Sequence, residues 1–268
     1  MKLNANLIII LLVISFAFGL FRPITALAAS TPSLGTASTF GVLSNLFQHN
    51  IATTTITGDL GYSSTAGLGP VTVSGTTYVN NAAWTAAGID QGTAWTNLNN
   101  QYLSSCTDIS ALGPLEGADI DGAGPLPPGT FSPGCYKSSG AMNITDNGIV
   151  TLSGAGTYIF RPNGALTTGA DSQVNLAGGA SACDVFWIPT AATTLGANSI
   201  FTGTDIDASG ITIGATTTWS GRALAYGGTI TADTDTITVP TSQILPLLML
   251  LKRLPMIMEV QQLQATGH

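Results

Sequence analysis

The chain has 268 residues, a formal net charge of −7 and only seven lysines and arginines. Between Ser30 and Pro240 the basic residues are Lys137, Arg161 and Arg222, against thirteen acidic residues and a single histidine, His49. Phosphate backbones and anionic membranes are bound by clustered Lys and Arg, so the composition argues against a nucleic acid partner and against an anionic membrane surface. Uncharged residues must therefore form most of the surface.

The N-terminus has the pattern of a secretory signal peptide. Lys2 supplies the positive charge, Leu7 to Phe21 is apolar, and Ala26-Leu27-Ala28 fits the small-x-small cleavage pattern. An uncleaved membrane anchor is the alternative, but the apolar run is short for a bilayer span. We expect residues 1–28 to be removed and the mature protein to be secreted and extracellular.

The segment that follows predicts short strands and then one helix. Phe40 to Leu43, Thr53 to Thr57 and Val71 to Val73 are rich in Thr and Val and are separated by Gly and Pro. From Asn81 to about Ser105, residues recur at intervals of three and four, with an Asn before them that can cap a helix. The recurring residues are Trp84, Ala87, Gln91, Trp95, Leu98 and Tyr102. We expect this stripe to pack against the strands.

Residues 104–133 are rich in Gly, Pro and Asp and follow neither a helical nor a strand period, which predicts a loop or cap insertion. Cys106 and Cys135 bracket it, and a disulfide between them would pin an irregular segment of an exported chain. Cys183 lies in an apolar stretch and is expected to be a buried free thiol. Its pairing with either of the others stays open, because sequence alone does not settle connectivity.

Residues 136–239 contain an internal repeat. Four stretches align on the small residues Gly169, Gly196, Gly214 and Ala232, which are separated by 27, 18 and 18 positions. A period of this length is that of one coil of a β-solenoid, lengthened once by an insertion. Stacked strands lie about 4.8 Å apart, so short hydroxyl side chains at equivalent positions would form a regular grid.

Side-chain alternation predicts which repeat residues face outward. In the last coil the parity breaks, since Ile230 falls outward and Thr231 inward unless a bulge shifts the register. The longest stack of short, mostly uncharged side chains is predicted to be the binding surface. Its members are Thr167, Asp171, Thr194, Asn198, Thr212, Thr216, Thr231 and Thr234.

Two carboxylate pairs offer an enzymatic alternative. Asp205 with Asp207, and Asp233 with Asp235, have the spacing that puts both side chains on one side of a strand. A retaining glycosidase needs two carboxyl groups about 5 Å apart, so a polysaccharide-active β-helix enzyme is conceivable. However, almost no basic residues accompany these acids. Solvated acids in turns or strands are the better interpretation.

The motifs along the chain resemble those of the secreted microbial ice-binding proteins. The resemblance runs from Leu34 to Pro240 and rests on the order of several short motifs. They are Leu34-Gly35-Thr36-Ala37, Phe40-Gly41-Val42-Leu43, Ile56-Thr57-Gly58-Asp59-Leu60-Gly61, Pro128-Gly129-Thr130-Phe131, Cys135-Tyr136, Thr157-Tyr158-Ile159-Phe160, Ala182-Cys183-Asp184-Val185-Phe186-Trp187 and Gly221-Arg222-Ala223-Leu224-Ala225. A motif of Thr, Ala or Gly, any residue, then Thr or Asn often marks the ice-binding face of this family. Thr231-Ala232-Asp233-Thr234 matches it fully.

The resemblance implies a mainly β fold, a discontinuous three-faced β-solenoid with one long helix alongside and a small cap insertion. It implies an ice-binding antifreeze domain over 29–240 whose partner is an ice crystal surface. We expect no catalytic residue, no metal, no cofactor, no membrane association after signal cleavage, and a monomer. Residues 241–268 form a tail outside the repeat. A passive extracellular adhesion module is the remaining alternative.

Overall fold

The computed structural model describes residues 29–50, 52–67, 69–101, 106–122 and 124–241. The expected signal peptide, nearly all of the tail, and Tyr102 and Ser105 at the predicted helix end lie outside these residues.

The described residues contain one α-helix and twenty strands, most of them short. Six strands precede the helix: β1 (Phe40–His49), β2 (Thr54–Thr57), β3 (Asp59–Tyr62), β4 (Ser64–Gly67), β5 (Val71–Val73) and β6 (Thr77–Val79). The helix is α1 (Ala82–Asn100). The strands after it are β7 (Thr107–Asp108), β8 (Thr130–Phe131), β9 (Gly134–Ser138), β10 (Met142–Ile144), β11 (Ile149–Ser153), β12 (Tyr158–Pro162), β13 (Leu166–Thr168), β14 (Gln173–Ala177), β15 (Val185–Trp187), β16 (Thr193–Thr194), β17 (Ile200–Ile206), β18 (Ile211–Thr212), β19 (Thr218–Ala232) and β20 (Thr236–Thr238).

All strand pairings in the described residues are parallel and form three ladders, so the fold is a three-faced β-solenoid, as the family resemblance implies. The first face runs in space β7, β9, β12, β15, β17, β19, β1, β3, β6. The second face runs β10, β13, β16, β18, β19, β1, β4. The third face runs β8, β11, β14, β17, β19, β20, β2, β5.

The solenoid is discontinuous because the chain begins in its middle. Strand β1 lies between β19, near the end of the solenoid chain, and β3, which follows β1 directly. The N-terminal coils therefore extend the stack in one direction, and the C-terminal coils return to meet it. Helix α1 has 19 residues and is about 28 Å long, which spans roughly six coils and carries the chain back to the far end.

The core consists of inward rows that continue from coil to coil. On the first face Tyr136, Phe160 and Trp187 stack with ring centroids 5.4 and 4.2 Å apart. On the third face the inward row is wholly apolar and buried along its length, apart from a half-buried Val73 at its end. Its members are Val150, Val174, Phe201, Trp219, Ile237, Ile56 and Val73. Each buried side chain of this size stabilises the fold by about 1.5–3 kcal/mol relative to exposure.

Helix α1 packs on the outer side of the first face. The Asn81 side chain caps it by accepting a hydrogen bond from the Trp84 backbone N–H at 3.0 Å. The Trp84 indole N–H donates to the Ser44 carbonyl at 3.0 Å, which satisfies its polar atom inside the contact. Trp84 is buried and Trp95 half-buried, so the predicted stripe faces the solenoid.

The cysteines behave as predicted in pairing but not in burial. Cys106 and Cys135 form the expected disulfide, with Cα atoms 4.6 Å apart. It joins the start of the cap insertion to β9. Leu115 and Ala118 of that insertion are buried against the solenoid core. Cys183 is free, but it is half-buried where burial was predicted, because it stands in a short 3-10 turn outside the strand that follows.

The last coil contains the register shift that the sequence left open. Ile211 pairs with Ile230 and Thr212 with Thr231, so Ile230 is buried and Thr231 faces outward with the other threonines of the predicted stack. The paired residues Thr212 and Thr231 are 19 positions apart in the sequence, whereas Thr218 and Thr236, which pair after the turn, are 18 positions apart. The last coil therefore has one residue fewer in its turn, and Ala232 follows Ile230 into the core instead of matching Gly214.

The repeated glycines mark the closest approach of neighbouring coils. A Cβ atom on Gly196 would lie 2.2 Å from the carbonyl carbon of Gly169, and one on Gly214 would lie 2.5 Å from the Ala197 amide nitrogen. Both contacts are with backbone, which cannot rotate away. Small residues at this period are therefore a packing requirement of the stack.

Gly196→Ala should lower the free energy of unfolding by about 1–3 kcal/mol, because the new methyl group overlaps the backbone of the next coil. Gly92→Ala is the matched control, since Gly92 is exposed in helix α1 with nothing within 4 Å of the added atom. That change should raise stability by up to about 1 kcal/mol. Chemical denaturation of both variants measures the difference. Equal stability of Gly196→Ala and the wild type would contradict the close stacking.

Candidate functional site

The second face carries a row of short polar side chains, here named the strand row. It consists of one outward residue per coil, in register through the paired strands. Its members in spatial order are Asn143, Thr167, Thr194, Thr212, Thr231 and Gln48. Four of them are the predicted threonines. None is charged, and ladder neighbours are about 4.8 Å apart.

A second row, here named the corner row, lies at the turn from the second face to the third. Its members share a left-handed backbone with φ between 59° and 64° and are all exposed. They are Asn147, Asp171, Asn198, Thr216 and Thr234. The backbone N–H of Asn198 donates to the Ala215 carbonyl at 2.9 Å, and that of Thr216 to Asp233 at 3.1 Å, so the turns stack as regularly as the strands.

The left-handed turns explain the residue types in the corner row. Asn and Asp tolerate this conformation, whereas a β-branched residue is disfavoured there. Thr216 and Thr234 therefore store strain of about 1–3 kcal/mol each. The hydroxyl groups of both threonines form hydrogen bonds with neighbouring residues. The Thr216 hydroxyl donates to the Asn198 side-chain oxygen in the adjacent coil, and that of Thr234 to Asp233 at 3.1 Å.

A ladder of buried polar side chains braces these turns from inside. Each member directly follows a corner residue: Ser172, Ser199, Thr217 and Asp235. The Ser199 hydroxyl donates to the Gly196 carbonyl and the Thr217 hydroxyl to the Gly214 carbonyl, both at 2.6 Å. The hydroxyl oxygens of Ser172 and Ser199 are 3.2 Å apart. The corner side chains are thus fixed relative to the coil stack.

Asp235 closes this inner ladder with a carboxylate. Its Oδ1 accepts from the Thr217 backbone N–H at 2.9 Å and its Oδ2 from that of Asp233 at 2.6 Å. Burial raises the pKa of Asp235 to about 7, and the nearby Asp233 charge adds to the rise, although the two backbone hydrogen bonds oppose it. The terminal turns of the corner row therefore rest on a group that titrates near neutral pH.

Stability should fall as the pH rises toward 7. Because the pKa of Asp235 is raised on folding, its contribution is fully present below the ordinary Asp value of about 4 and is lost as the pH passes about 7. Asp235→Asn should flatten this fall, although its overall stability should be lower because the amide meets a backbone N–H. Denaturation of both proteins from about pH 4 to 8 measures the slopes. Equal slopes would rule out this role for Asp235.

The first predicted carboxylate pair cannot serve a polysaccharide substrate. Asp205 is the penultimate residue of β17 and Asp207 directly follows that strand, and both are buried, with exposed fractions of 0% and 1%. Burial raises the pKa of Asp205 well above its usual value, and repulsion from Asp207 raises it further. The two residues of the second pair differ in environment. Asp235 is buried and both of its carboxylate oxygens accept from backbone N–H groups, whereas Asp233 is half-buried.

The third face carries a competing set of threonines. Its outer row continues from Thr218 through Thr236 and Thr55 to Thr72. Toward the cap, the same row consists of Ile149, Gln173 and Ile200, and the two isoleucines are 50% and 43% exposed. This row therefore combines four consecutive threonines with two exposed isoleucines, whereas the strand row has no large apolar member.

The structure brings all eight predicted residues to one surface, in two adjacent rows. Sequence reasoning omitted Asn143, Asn147 and Gln48. Asn147 could have been found, because it lies 24 positions before Asp171 and pairs with the same coil. Gln48 could not, because it comes from β1 and joins the row only through the discontinuous stacking. Its side-chain oxygen accepts from the Thr231 hydroxyl at 3.2 Å.

In the described part of the chain no group of three or more His, Cys, Asp or Glu side chains is placed to hold a metal ion. None of the helices in the described ranges combines the length and the apolarity that a membrane crossing requires.

The family model and the most similar relatives point to the same protein family. The model of the family described as Ice-binding-like matches residues 42–238. An ice-binding protein from Nostoc sp. (strain HG1) is 32% identical over 245 residues, covering 88% of this chain and 84% of the relative. An ice-binding protein from Flavobacterium frigoris (strain PS1) is 31% identical over 215 residues, covering 78% of this chain and 76% of the relative.

Solved structures agree with the described fold. The crystal structure of an ice-binding protein from the Antarctic ascomycete Antarctomyces psychrotrophicus superimposes with a TM-score of 0.70 at 30% identity. The alignment covers 80% of this chain and all of that one. The crystal structure of an ice-binding protein from an Antarctic biological consortium gives a TM-score of 0.71, also at 30% identity. It covers 82% of this chain and 96% of the other.

Proposed function

The chain belongs to the Ice-binding-like family, and from this premise we propose that it is an antifreeze protein that adsorbs to ice crystals through the strand row and the corner row. Adsorption would produce thermal hysteresis and inhibit ice recrystallisation. The observation that carries the proposal is the register of the two rows, which repeat over successive coils with one short polar side chain each.

Ice demands this kind of surface. It offers no net charge and no protruding group, only a lattice of water, so a binding face must be flat, uncharged and periodic. A threonine hydroxyl can donate and accept hydrogen bonds with ordered water, and its branched Cβ restricts χ1, so little rotamer freedom is lost on binding. Water held in register along Thr194, Thr212 and Thr231 can be shared with the crystal.

The second face suits ice better than the third. The strand row has no charged member and no large apolar side chain. On the third face Ile149 and Ile200 protrude beside the threonines, so a flat crystal could not contact all of them at once. Asp171 is the one charged member of the proposed rows, and its charge should weaken the contact locally.

Two other functions are less well supported. A polysaccharide-active enzyme would need accessible acids, and the strand pair of Asp205 and Asp207 is closed off in the core. A passive adhesion module would use the same grid without affinity for ice, and measuring whether the purified protein binds ice distinguishes it from an antifreeze protein.

We further propose that the protein is exported, since residues 1–28 have the pattern of a signal peptide, and that it acts as a monomer, since one chain carries both rows.

Thr212→Tyr should abolish most of the thermal hysteresis. Thr212 is exposed in the middle of the strand row, where a ring would hold the crystal away from its neighbours as well. Because Tyr is a good strand residue, the free energy of unfolding should change by no more than about 0.5 kcal/mol. Thermal hysteresis and recrystallisation inhibition are measured at equal protein concentration, with circular dichroism as the test of folding.

Thr218→Tyr is the matched control. Thr218 is the same residue type, is exposed in the next strand along the chain, and belongs to the third face. This variant should keep wild-type activity. Loss of activity in Thr218→Tyr with full activity in Thr212→Tyr would move the binding surface to the third face and refute the proposed rows.

A further inference from the structure

A cleft on the first face gathers both of the solvent-accessible basic side chains of the described chain. It lies beside the C-terminal end of helix α1, has a volume of about 250 Å³, and crosses three successive coils. Its lining comprises Asn99, Lys137, Ser138, Arg161, Pro162, Asn163, Ile188 and Thr190. Arg222, the remaining basic residue of the described chain, is buried elsewhere.

Arg161 reaches this cleft without a charged partner. Its guanidinium donates to the Asn99 side-chain oxygen at 2.6 Å and to the Cys106 sulfur at 3.7 Å, and both acceptors are uncharged. Partial burial lowers the pKa of Arg161, with no acidic group contributing. A guanidinium has five N–H donors, so donors remain for a ligand.

Lys137 increases the positive charge at the same place. Lys137 of β9 pairs directly with Arg161 of β12, so two like charges stand opposite each other on the same side of a parallel ladder. Such an arrangement destabilises a sheet unless a counter-charge is present. Asp108 is the ladder neighbour of Lys137 on its other side and supplies part of this counter-charge, while its carboxylate also accepts from the backbone N–H and hydroxyl of Ser110. One anion between Lys137 and Arg161 would offset the repulsion.

The rest of the lining is uncharged. Asn99, Asn163, Ser138 and Thr190 provide amide and hydroxyl groups around the two cations, and Pro162 and Ile188 provide apolar surface. The volume equals that of about eight water molecules, at about 30 Å³ each, which is small for a multi-ring ligand. A single sugar ring with a carboxylate has the right size and the complementary groups.

We propose that this cleft binds an acidic sugar, a uronate unit of an extracellular polysaccharide, with its carboxylate between Arg161 and Lys137 and its hydroxyls on the surrounding amides and hydroxyls. None of the lining residues belongs to the strand row or the corner row. The protein could therefore be held in a polysaccharide matrix while its ice-facing rows stay free. This function would be independent of ice adsorption.

The test is calorimetric titration of the full-length secreted protein with trigalacturonate, using maltotriose as the neutral sugar and sodium sulfate as the simple anion. We expect binding of trigalacturonate, none of maltotriose, and only weak binding of sulfate. Arg161→Gln and Lys137→Gln should each weaken binding by about tenfold or more, the loss of one charge-assisted contact. Thermal hysteresis should be unchanged in both variants. Asp108→Asn should tighten binding, because it removes the nearest negative charge.

Arg161→Gln also removes the hydrogen bond to Asn99, so its unfolding temperature must be checked. If it fails to fold, Lys137→Gln decides the question alone. Unchanged affinity in the folded variants would overturn the site. Equal affinity for maltotriose would overturn the role of the carboxylate, and equal affinity for sulfate would overturn the assignment to a sugar.

Discussion

Backbone hydrogen bonds between equivalent positions of successive coils are the constraint on which the rest of the molecule depends. The N–H of Leu195 donates to Thr212 at 2.8 Å, and that of Ile213 to Thr231 at 2.8 Å. These bonds fix the coil spacing, and the spacing in turn fixes the distance between every pair of neighbouring outward side chains. Glycines at the turns keep the backbones close enough for the bonds to form. The backbone therefore sets the periodicity of the outer face, and the outward side chains repeat at the same spacing.

The corner row contains strained residues whose side chains belong to the proposed binding surface. Glycine would relieve the left-handed backbone at Thr216 and Thr234, but it would leave no hydroxyl on the surface. The inner ladder of Ser199, Thr217 and Asp235 supplies hydrogen bonds that hold these turns in place. Asp235 adds a further cost, since a carboxylate in the interior disfavours its charged form. Strain and a buried acid thus occur together at the end of the proposed binding surface.

The sequence predicted features that depend on local pattern and repeat length. The glycine spacing revealed the coils, Asn81 and the Trp84 stripe identified the helix, and the cysteines that bracket the cap insertion indicated the disulfide. Features that depend on contacts between distant parts of the chain were missed. Gln48 joins the strand row because β1 stacks on β19, and no spacing in the sequence reports this.

The repeat spacing in the sequence also does not reveal differences of one residue in the length of the turns. The last turn is one residue shorter than its neighbour, so a parity argument that extends the 18-residue spacing assigns Ile230 and Thr231 to the wrong sides. Asp205 and Asp207 were interpreted as solvated acids, which is wrong, since both are buried. No local pattern indicates their burial, because acids rarely occupy the interior of a protein.

The most direct test of the central claim is adsorption to a single ice crystal. A slowly growing ice hemisphere is immersed in a dilute solution of the protein carrying a fluorescent domain at its mature N-terminus. A periodic, flat binding face predicts that fluorescence collects on the ice in discrete patches that follow particular crystal planes. Exclusion from the ice, to the same extent as the fluorescent domain alone, would contradict the account.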